Sequence, residues 1–243
     1  MEGSMLIVSL YVDDLLFTGN DELMFTEFKN SMKNEFDMTD LGKMKYFLGL
    51  EVLQKSGGIF IGQRKYAQEM LQRFEMSQSN SVQTPMVPGF KLCKDEEGIT
   101  VDKTHFKQLV GCLMYLTATR PDVMFATSLL SRYMENPTQL HLQQAKRVLR
   151  YLQGTTEYGI FYKKGGNNDL IAYTDSDYAG DLDDRRSTLG YVFLFSSGAV
   201  SWSSKKQPIV SLSITEAEFI VVAACACQAI WLKRVLKTLD QTQ

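Results

Sequence analysis

The sequence predicts an α+β fold, and three observations carry that prediction. Near the start, short apolar runs closed by glycine, asparagine or acidic residues alternate with stretches whose apolar residues recur three and four apart. The middle reads as consecutive helices broken at Pro121 and Pro137. The last third turns to strands and closes on a long helix. Apolar residues are 44% and charged residues 22% of the 243, the composition of a packed globular chain.

Met5 to Val12 is an apolar run that meets two adjacent carboxylates, Asp13 and Asp14. Leu15-Leu16-Phe17 leads out and Gly19-Asn20 closes the second run, which predicts a hairpin with an acidic tip. Asp21 is placed to cap a helix over about 22–35, with Met24, Phe25, Phe28, Met32 and Phe36 as its apolar face. Tyr46 to Leu53 reads as a strand, Gly57-Gly58 as a turn and Ile59-Phe60-Ile61 as the returning strand. A helix over about 65–74 follows, with Tyr66, Met70, Leu71 and Phe74 on one side.

Residues 77–104 are rich in Ser, Asn, Gln, Pro and Gly and read as a loop or linker, longer than compact domains usually carry. Three helices come next. Their apolar faces are Phe106, Leu109, Val110, Leu113 and Leu116; Ala126, Leu129, Leu130 and Tyr133; and Ala145, Val148, Leu149 and Leu152, with Gly154 as the stop. Gly159 to Tyr162 is a strand and Gly165 to Asn168 a turn. Leu170 to Thr174 is a strand that ends in Asp175-Ser176-Asp177. Strands over Thr188–Phe195 and Ala199–Ser203 flank a turn at Ser196-Ser197-Gly198. The closing helix runs over about 215–239, with Ser213 or Thr215 as its cap and Glu216 and Glu218 in its first turn.

Acids and bases nearly cancel, 28 against 26, so the chain has no uniformly basic surface and any nucleic acid must be met by local patches. Lys146, Arg147 and Arg150, together with His141, form one such patch on the third mid-chain helix, and Arg185-Arg186 another. A solvated helix face accounts for the same charges. Cys93, Cys112, Cys225 and Cys227 have no zinc spacing and suggest no disulfide framework, which fits a reducing, intracellular compartment. Residues 1–12 have no basic n-region and no small-residue cleavage site, and Asp13 interrupts them, so neither a signal peptide nor a membrane span is expected.

Paired carboxylates at a strand end offer oxygen ligands to a hard divalent cation, although Asp also favours turns in its own right. The same two readings apply to Asp175 and Glu218, which would have to converge at one edge of a sheet to hold a cation together. Acids at a helix start also complement the helix dipole.

In order along the chain, these motifs resemble the carboxyl-terminal part of the Pol polyprotein of copia-class LTR retrotransposons. Leu10-Tyr11-Val12-Asp13-Asp14 resembles the catalytic hairpin of reverse transcriptase. Asp40-Leu41-Gly42 with Tyr46-Phe47-Leu48-Gly49 resembles the following palm segment and primer grip. Leu109-Val110-Gly111, Tyr115-Leu116-Thr117, Thr119-Arg120-Pro121-Asp122 and the run from Ala145 to Leu152 resemble the thumb and connection. Asp175-Ser176-Asp177, Arg185-Arg186-Ser187-Thr188, the run from Ser201 to Gln207 and Thr215-Glu216-Ala217-Glu218 resemble the start of an RNase H domain.

The resemblance implies a palm and thumb fragment over 1–76, a linker over 77–104, a helical connection over 105–157, and a truncated RNase H-like α/β domain with a mixed sheet over 158–243. It implies Asp13, Asp14, Asp175 and Glu218 as catalytic and metal-binding carboxylates, with Glu216 as the fallback for Glu218. Mg2+ or Mn2+ would be the cofactor. Phe47, Leu48 and Gly49 would lie at the primer terminus, and the partner would be an RNA–DNA hybrid or template-primer. The family's polymerase draws a further Asp from upstream of the hairpin, where this chain has only Glu2, and its RNase H draws further acids from beyond the long helix. Each site is therefore expected to hold about half of its ligands here, with no activity in the isolated chain and with open apolar strand edges that favour self-association. The alternative is a non-catalytic remnant that binds nucleic acid or protein.

Overall fold

The computed structural model describes residues 4–165 and 169–239. Gly166 to Asn168 of the expected turn lie outside the described residues. The chain divides into two compact units, residues 1–44 and residues 45–243.

In the first unit, β1 (Leu6–Tyr11) and β2 (Asp14–Gly19) form an antiparallel hairpin, in register from Leu6 opposite Gly19 to Tyr11 opposite Asp14. Helix α1 (Glu22–Glu35) starts at Asp21, whose carboxylate accepts from the Leu23 and Met24 amides. Phe17 of β2 meets Phe25 and Phe28 of α1 edge-on at 5.5 and 5.4 Å. No residue of α1 is fully buried, so this small unit has packing contacts without a closed core.

The second unit opens with β3 (Tyr46–Phe47), β4 (Leu50–Lys55) and β5 (Gly58–Gly62), all antiparallel. The single strand expected over 46–53 is instead a tight hairpin. Leu48 and Gly49 both take positive φ, 48° and 74°, the geometry of a primed two-residue turn, and Phe47 pairs with Leu50 across it. The fourth strand of this sheet, β6 (Gly159–Lys163), comes from far along the chain and pairs with β5 from Gly62 opposite Gly159 to Gly58 opposite Lys163. The strand at the start of the expected RNase H-like segment thus completes the sheet begun at Tyr46.

Helices α2 (Arg64–Arg73), α3 (Lys103–Leu116), α4 (Met124–Ser131) and α5 (Gln139–Gln153) share one core. The buried residues there include the expected faces of α3 and α5, Phe106, Leu109, Leu113, Val148 and Leu152 among them. Residues 77–102 contain no helix or strand, yet they are strapped onto this core rather than spanning a gap. Leu92 is buried, the Gln139 amide donates to Ile99 O at 2.8 Å, and Arg150 Nε donates to Asn80 O at 2.7 Å.

The third sheet is β7 (Leu170–Ser176), β8 (Thr188–Phe195) and β9 (Gly198–Lys206) in that order, with α6 (Ile214–Thr238) packed across β7 and β8. Both pairings are antiparallel, so among the described residues the sheet is not the mixed one expected: three consecutive strands that reverse at each connection can pair only this way. Ser213 is the cap of α6, its hydroxyl accepting from the Glu216 amide. By length and composition α6 is apolar enough to cross a bilayer. Ala217, Val221 and Cys225 are its buried residues, while Phe219 (69% exposed) and Trp231 (56%) lie open.

Candidate nucleic-acid and metal sites

The β1–β2 register leaves Val12 and Asp13 as a two-residue connection, with Asp14 the first residue of β2. Val12 has φ of 51°, an uncommon conformation for a β-branched residue, so the backbone strain of the hairpin sits beside the two acids. Asp13 and Asp14 are both exposed, and among the described residues no hydrogen bond or ion pair occupies either carboxylate. The fold supplies two adjacent, open oxygen donors on a rigid ladder, the donor chemistry of a hard divalent cation.

The tip at Leu48-Gly49 belongs to the second unit. Tyr115 of α3 donates its hydroxyl to Leu48 O, and a Cβ on Gly49 would run into that same phenol. Phe47, Leu48 and Gly49 therefore stand on a turn pinned from behind, with the Leu48 side chain largely exposed.

Asp175 lies near the end of β7 opposite Gly190, exposed, while its neighbour Ser176 is buried, as the period of two requires. Asp177 holds the backbone together at this end of the sheet, its Oδ1 accepting from the Thr188 amide at 2.6 Å. On α6 the two glutamates are distinguished by their bonding. Glu216 Oε2 accepts from the Leu212 amide at 2.6 Å while its own amide meets Ser213 Oγ, so Glu216 belongs to the helix cap. Glu218, half-buried, has no such engagement among the described residues. No group of three or more His, Cys, Asp or Glu side chains gathers among the described residues.

The bases expected to meet phosphates have different surroundings. Lys146 and Arg185 are exposed, and Arg186 approaches Asp184 at 3.8 Å. Arg147 reaches Thr84 Oγ1 at 3.0 Å and Arg150 reaches Asn80 O, so both tie the 77–104 strap to α5. His141, expected beside them, is fully buried and corrects that reading. Its Nδ1 accepts from the Thr138 amide, which leaves Nε2–H to donate to Cys93 O at 2.8 Å, and its ring stacks on Tyr133. Burial holds its pKa below the ordinary value, and it serves as a cap rather than a phosphate contact.

Sequence reasoning missed the charged joint that fixes the loop after β7. Asp181 is 1% exposed and its Oδ2 meets Arg132 Nη1 at 2.9 Å and Lys206 Nζ at 2.6 Å. Its Oδ1 accepts from the Asp183 and Asp184 amides, and Arg132 Nη2 also donates to Thr188 Oγ1. Burial raises the Asp181 pKa, but the Lys206 ammonium, the two amides and the Arg132 guanidinium together hold it down at about 2. The signal available in the sequence was an aspartate between glycine and leucine, which periodicity cannot distinguish from a turn acid.

Comparison with known proteins adds the following. The family model for reverse transcriptase (RNA-dependent DNA polymerase) matches residues 1–88. The Pol polyprotein from transposon TNT 1-94 of Nicotiana tabacum is 40% identical across all of this chain, which spans 19% of that relative. A Saccharomyces cerevisiae protein assigned to transposon Ty5-1 is 34% identical over 89% of this chain and 71% of its own length. An uncharacterised mitochondrial protein of Arabidopsis thaliana is 36% identical over 91% of this chain and 92% of its own length. The chain spans about a fifth or less of the Pol polyproteins it matches from tobacco and Arabidopsis. No solved structure matches it.

Proposed function

We propose that this chain, which belongs to the family of copia-type retrotransposon Pol polyproteins, carries acids of two divalent-cation sites that act on nucleic acid. Asp13 and Asp14 serve RNA-directed DNA synthesis, and Asp175 with Glu218 serves hydrolysis of the RNA strand in an RNA–DNA hybrid. The observation that carries the reading is the hairpin tip, where two exposed carboxylates, unpartnered among the described residues, stand one on a strained two-residue turn and one at the start of β2, inside the segment similar to reverse transcriptase. The RNase H-like part rests on a strand–strand–strand–helix order, with one open acid on β7 and another in the first turns of α6.

The donor set fits magnesium, which is commonly held by one or two carboxylates together with substrate phosphates. When bound, such an ion stabilises charge on phosphoryl oxygens and lowers the pKa of an attacking water or hydroxyl. The residues of this chain orient the reactants. Asp14 is fixed by its pairing with Tyr11, and Asp13 is presented by the turn. Leu48 and Gly49, braced by Tyr115, meet the primer end, while Lys146, Arg185 and Arg186 meet phosphates. With a formal net charge of −2, affinity for a hybrid comes from these few bases and falls steeply as salt is raised.

The isolated polypeptide is expected to bind a hybrid without turnover. The test is magnesium-dependent primer extension and cleavage of a labelled RNA–DNA hybrid by the purified chain, beside Asp13→Asn and Asp175→Asn. The expected result is salt-sensitive binding with no activity above these variants. Activity lost in either variant would mean that the chain, or an oligomer of it, completes the corresponding site. Absence of hybrid binding at low salt would sink the nucleic-acid reading.

The apolar surface of α6 and β7 supports a second reading, association with another copy of this chain. β7 is an edge strand among the described residues and shows Ile171 and Tyr173 to solvent, while α6, on the opposite face of the sheet, exposes Phe219, Ile230 and Trp231. Light scattering after size exclusion is expected to show concentration-dependent dimers or larger species, shifted toward monomer by Phe219→Glu with Trp231→Glu. A monomer at every concentration rules the association out.

A further inference from the structure

Helix α6 meets the β7–β9 sheet through the stripe of Ala217, Val221 and Cys225, its buried residues. Gln228 continues that stripe, and its Nε2 donates to Ser201 Oγ of β9 at 3.1 Å. Residues three and four apart share one side of a helix, so this stripe fixes which side is turned outward. Along the outward side runs a second row: Glu216, Phe219, Ala223, Ala226, Ile230 and Lys233. Phe219 and Ile230 are 69% and 55% exposed, and Ala223, Ala226 and Lys233 are exposed as well. The steps of the row alternate strictly between three and four, which is the spacing by which one helix packs lengthwise along another.

The row is symmetric in size and opposite in charge about its midpoint, between residues 224 and 225. Two alanines stand at the middle, a bulky apolar residue follows on each side, and the ends are an acid and a base. Laid antiparallel on a second copy about a twofold axis through that midpoint, Phe219 meets the partner's Ile230, Ala223 meets the partner's Ala226, and Glu216 meets the partner's Lys233. Alanines at the crossing let the two axes approach to about 8 Å, the short end of helix packing. Laid parallel, each residue would meet its own counterpart, acid against acid and base against base, which is unfavourable. Charge therefore sets the direction. The cap bond from the Leu212 amide engages Glu216 Oε2 and leaves Oε1 for an ammonium.

We propose that two copies of this chain pair antiparallel through α6, with Ala223 and Ala226 at the crossing and a Glu216–Lys233 ion pair at each end. The proposal rests on the second reading above, association with another copy, and gives it a surface and a direction. A single helix pair is small for an interface, so the dimer exchanges with monomer. A lipid surface fits the row less well, because half of its apolar residues are alanines and an acid closes one end.

The test uses the full chain carrying Cys227→Ser, since Cys227 is an exposed thiol. Glu216→Cys and Lys233→Cys are each oxidised alone and then as a mixture, and the disulfide-linked peptides are identified by mass spectrometry. The mixture is expected to give a link between position 216 of one copy and position 233 of the other. Neither variant alone is expected to link to itself, because antiparallel copies hold like positions about 25 Å apart along the axis. Each mixed dimer keeps one Glu216–Lys233 pair and the whole apolar row, so these substitutions leave the pairing in place. Ala226→Glu, at an exposed helix position, is expected to raise the dissociation constant measured by light scattering about tenfold or more, with the circular dichroism unchanged, because the twofold axis buries the new charge twice. Self-linking of either cysteine variant would mean a parallel pair and overturns the proposal. Dimers that form without the 216–233 link, or that Ala226→Glu leaves intact, place the association on another surface and overturn the α6 pairing while the second reading stands. A monomer at every concentration removes both. Flotation of the wild type with phosphatidylcholine–phosphatidylserine vesicles, lost in Ala226→Glu, would assign the row to lipid and overturn the proposal as well.

Discussion

Asp181→Asn is expected to destabilise residues 45–243 by about 3–5 kcal/mol, a shift of roughly 10 °C in the melting midpoint. The substitution removes one charge from a joint in which Arg132 and Lys206 both converge on a single carboxylate oxygen. Arg132 is nearly buried, with 11% of its side chain exposed, so the loss leaves a cation without its counter-charge in a poorly solvated place, and the single amide oxygen can face either Arg132 or the Asp183 and Asp184 amides but not both. Lys206 keeps Asp184 at 2.9 Å and moves toward solvent, so most of the cost falls on Arg132. The joint links the α4 C-terminus, the loop after β7 and the end of β9. Its failure loosens the β7–β9 sheet from the helical core rather than a local turn. Asp181 also gives the protein an acid limit. Its folded pKa of about 2 lies below the ordinary 3.8, so the unfolded chain binds the proton more readily. The stabilisation is fully present above the ordinary value and is lost as pH falls from there through about 2. That amounts to about 2 kcal/mol across the window, and the slope is expected to flatten in Asp181→Asn. Urea unfolding followed by tryptophan fluorescence at several pH values measures both effects. An unchanged acid slope in the variant would place the acid sensitivity on another carboxylate.

The parts of the fold that the sequence announces are those decided by neighbours along the chain. The acidic hairpin tip is one, because apolar runs on both sides of Asp13-Asp14 leave the chain no other place to turn. The buried faces of α3 and α5 are another, since a spacing of three and four is a local property. The break at Leu48-Gly49 had a local sign in Gly49, but Leu48 in a positive φ conformation inside an apolar run gave none. What escaped are features decided by residues far apart. The pairing of β6 with β5 joins Gly159 to Gly62 across the whole helical core, and no periodicity in either strand names its partner. His141 looked like a surface base because its neighbours Lys146, Arg147 and Arg150 are charged; it is buried because the Thr138 amide and Cys93 O satisfy both ring nitrogens. The strap over 77–104 has linker composition, yet several of its polar groups are met by Thr138, Gln139, Arg147 and Arg150. The candidate site divides in the same way. Its acids were visible one by one, while Glu216 could be separated from Glu218 only once the Leu212 amide was seen to occupy it.

Arg120→Lys is expected to cost nearly as much as Arg120→Ala, about 3 kcal/mol in either case, although it keeps the charge. Arg120 is 2% exposed. Nε and Nη2 meet the two oxygens of Asp122 at 2.9 and 2.7 Å, and on its other edge Nη1 reaches Thr155 O and Nη2 reaches Thr155 Oγ1, both at 2.8 Å. The Tyr151 and Tyr158 rings flank the guanidinium with centroids 5.6 and 5.4 Å from its central carbon. Four hydrogen bonds thus radiate from one plane in two directions and join the turn after α3 to the turn after α5. A lysine ammonium is a single point at the end of a flexible stem and cannot reach the Asp122 carboxylate and the Thr155 carbonyl together, so one partner is left unmet in a buried place. Asp122 is a third exposed, and water replaces much of what it loses, which keeps the cost below that of a fully enclosed pair. Thr155→Val removes the hydroxyl, which accepts from Arg120 and donates to Tyr151 O at 2.9 Å, and is expected to cost about 1–2 kcal/mol. The double variant Arg120→Lys with Thr155→Val is then less destabilised than the sum of the two, because the contact between Arg120 and the Thr155 hydroxyl is counted in both single variants, while the bond from that hydroxyl to Tyr151 O is lost only with Thr155→Val. Strict additivity in that cycle, measured by urea unfolding, would show that Arg120 acts through its charge alone and that the planar fork is incidental.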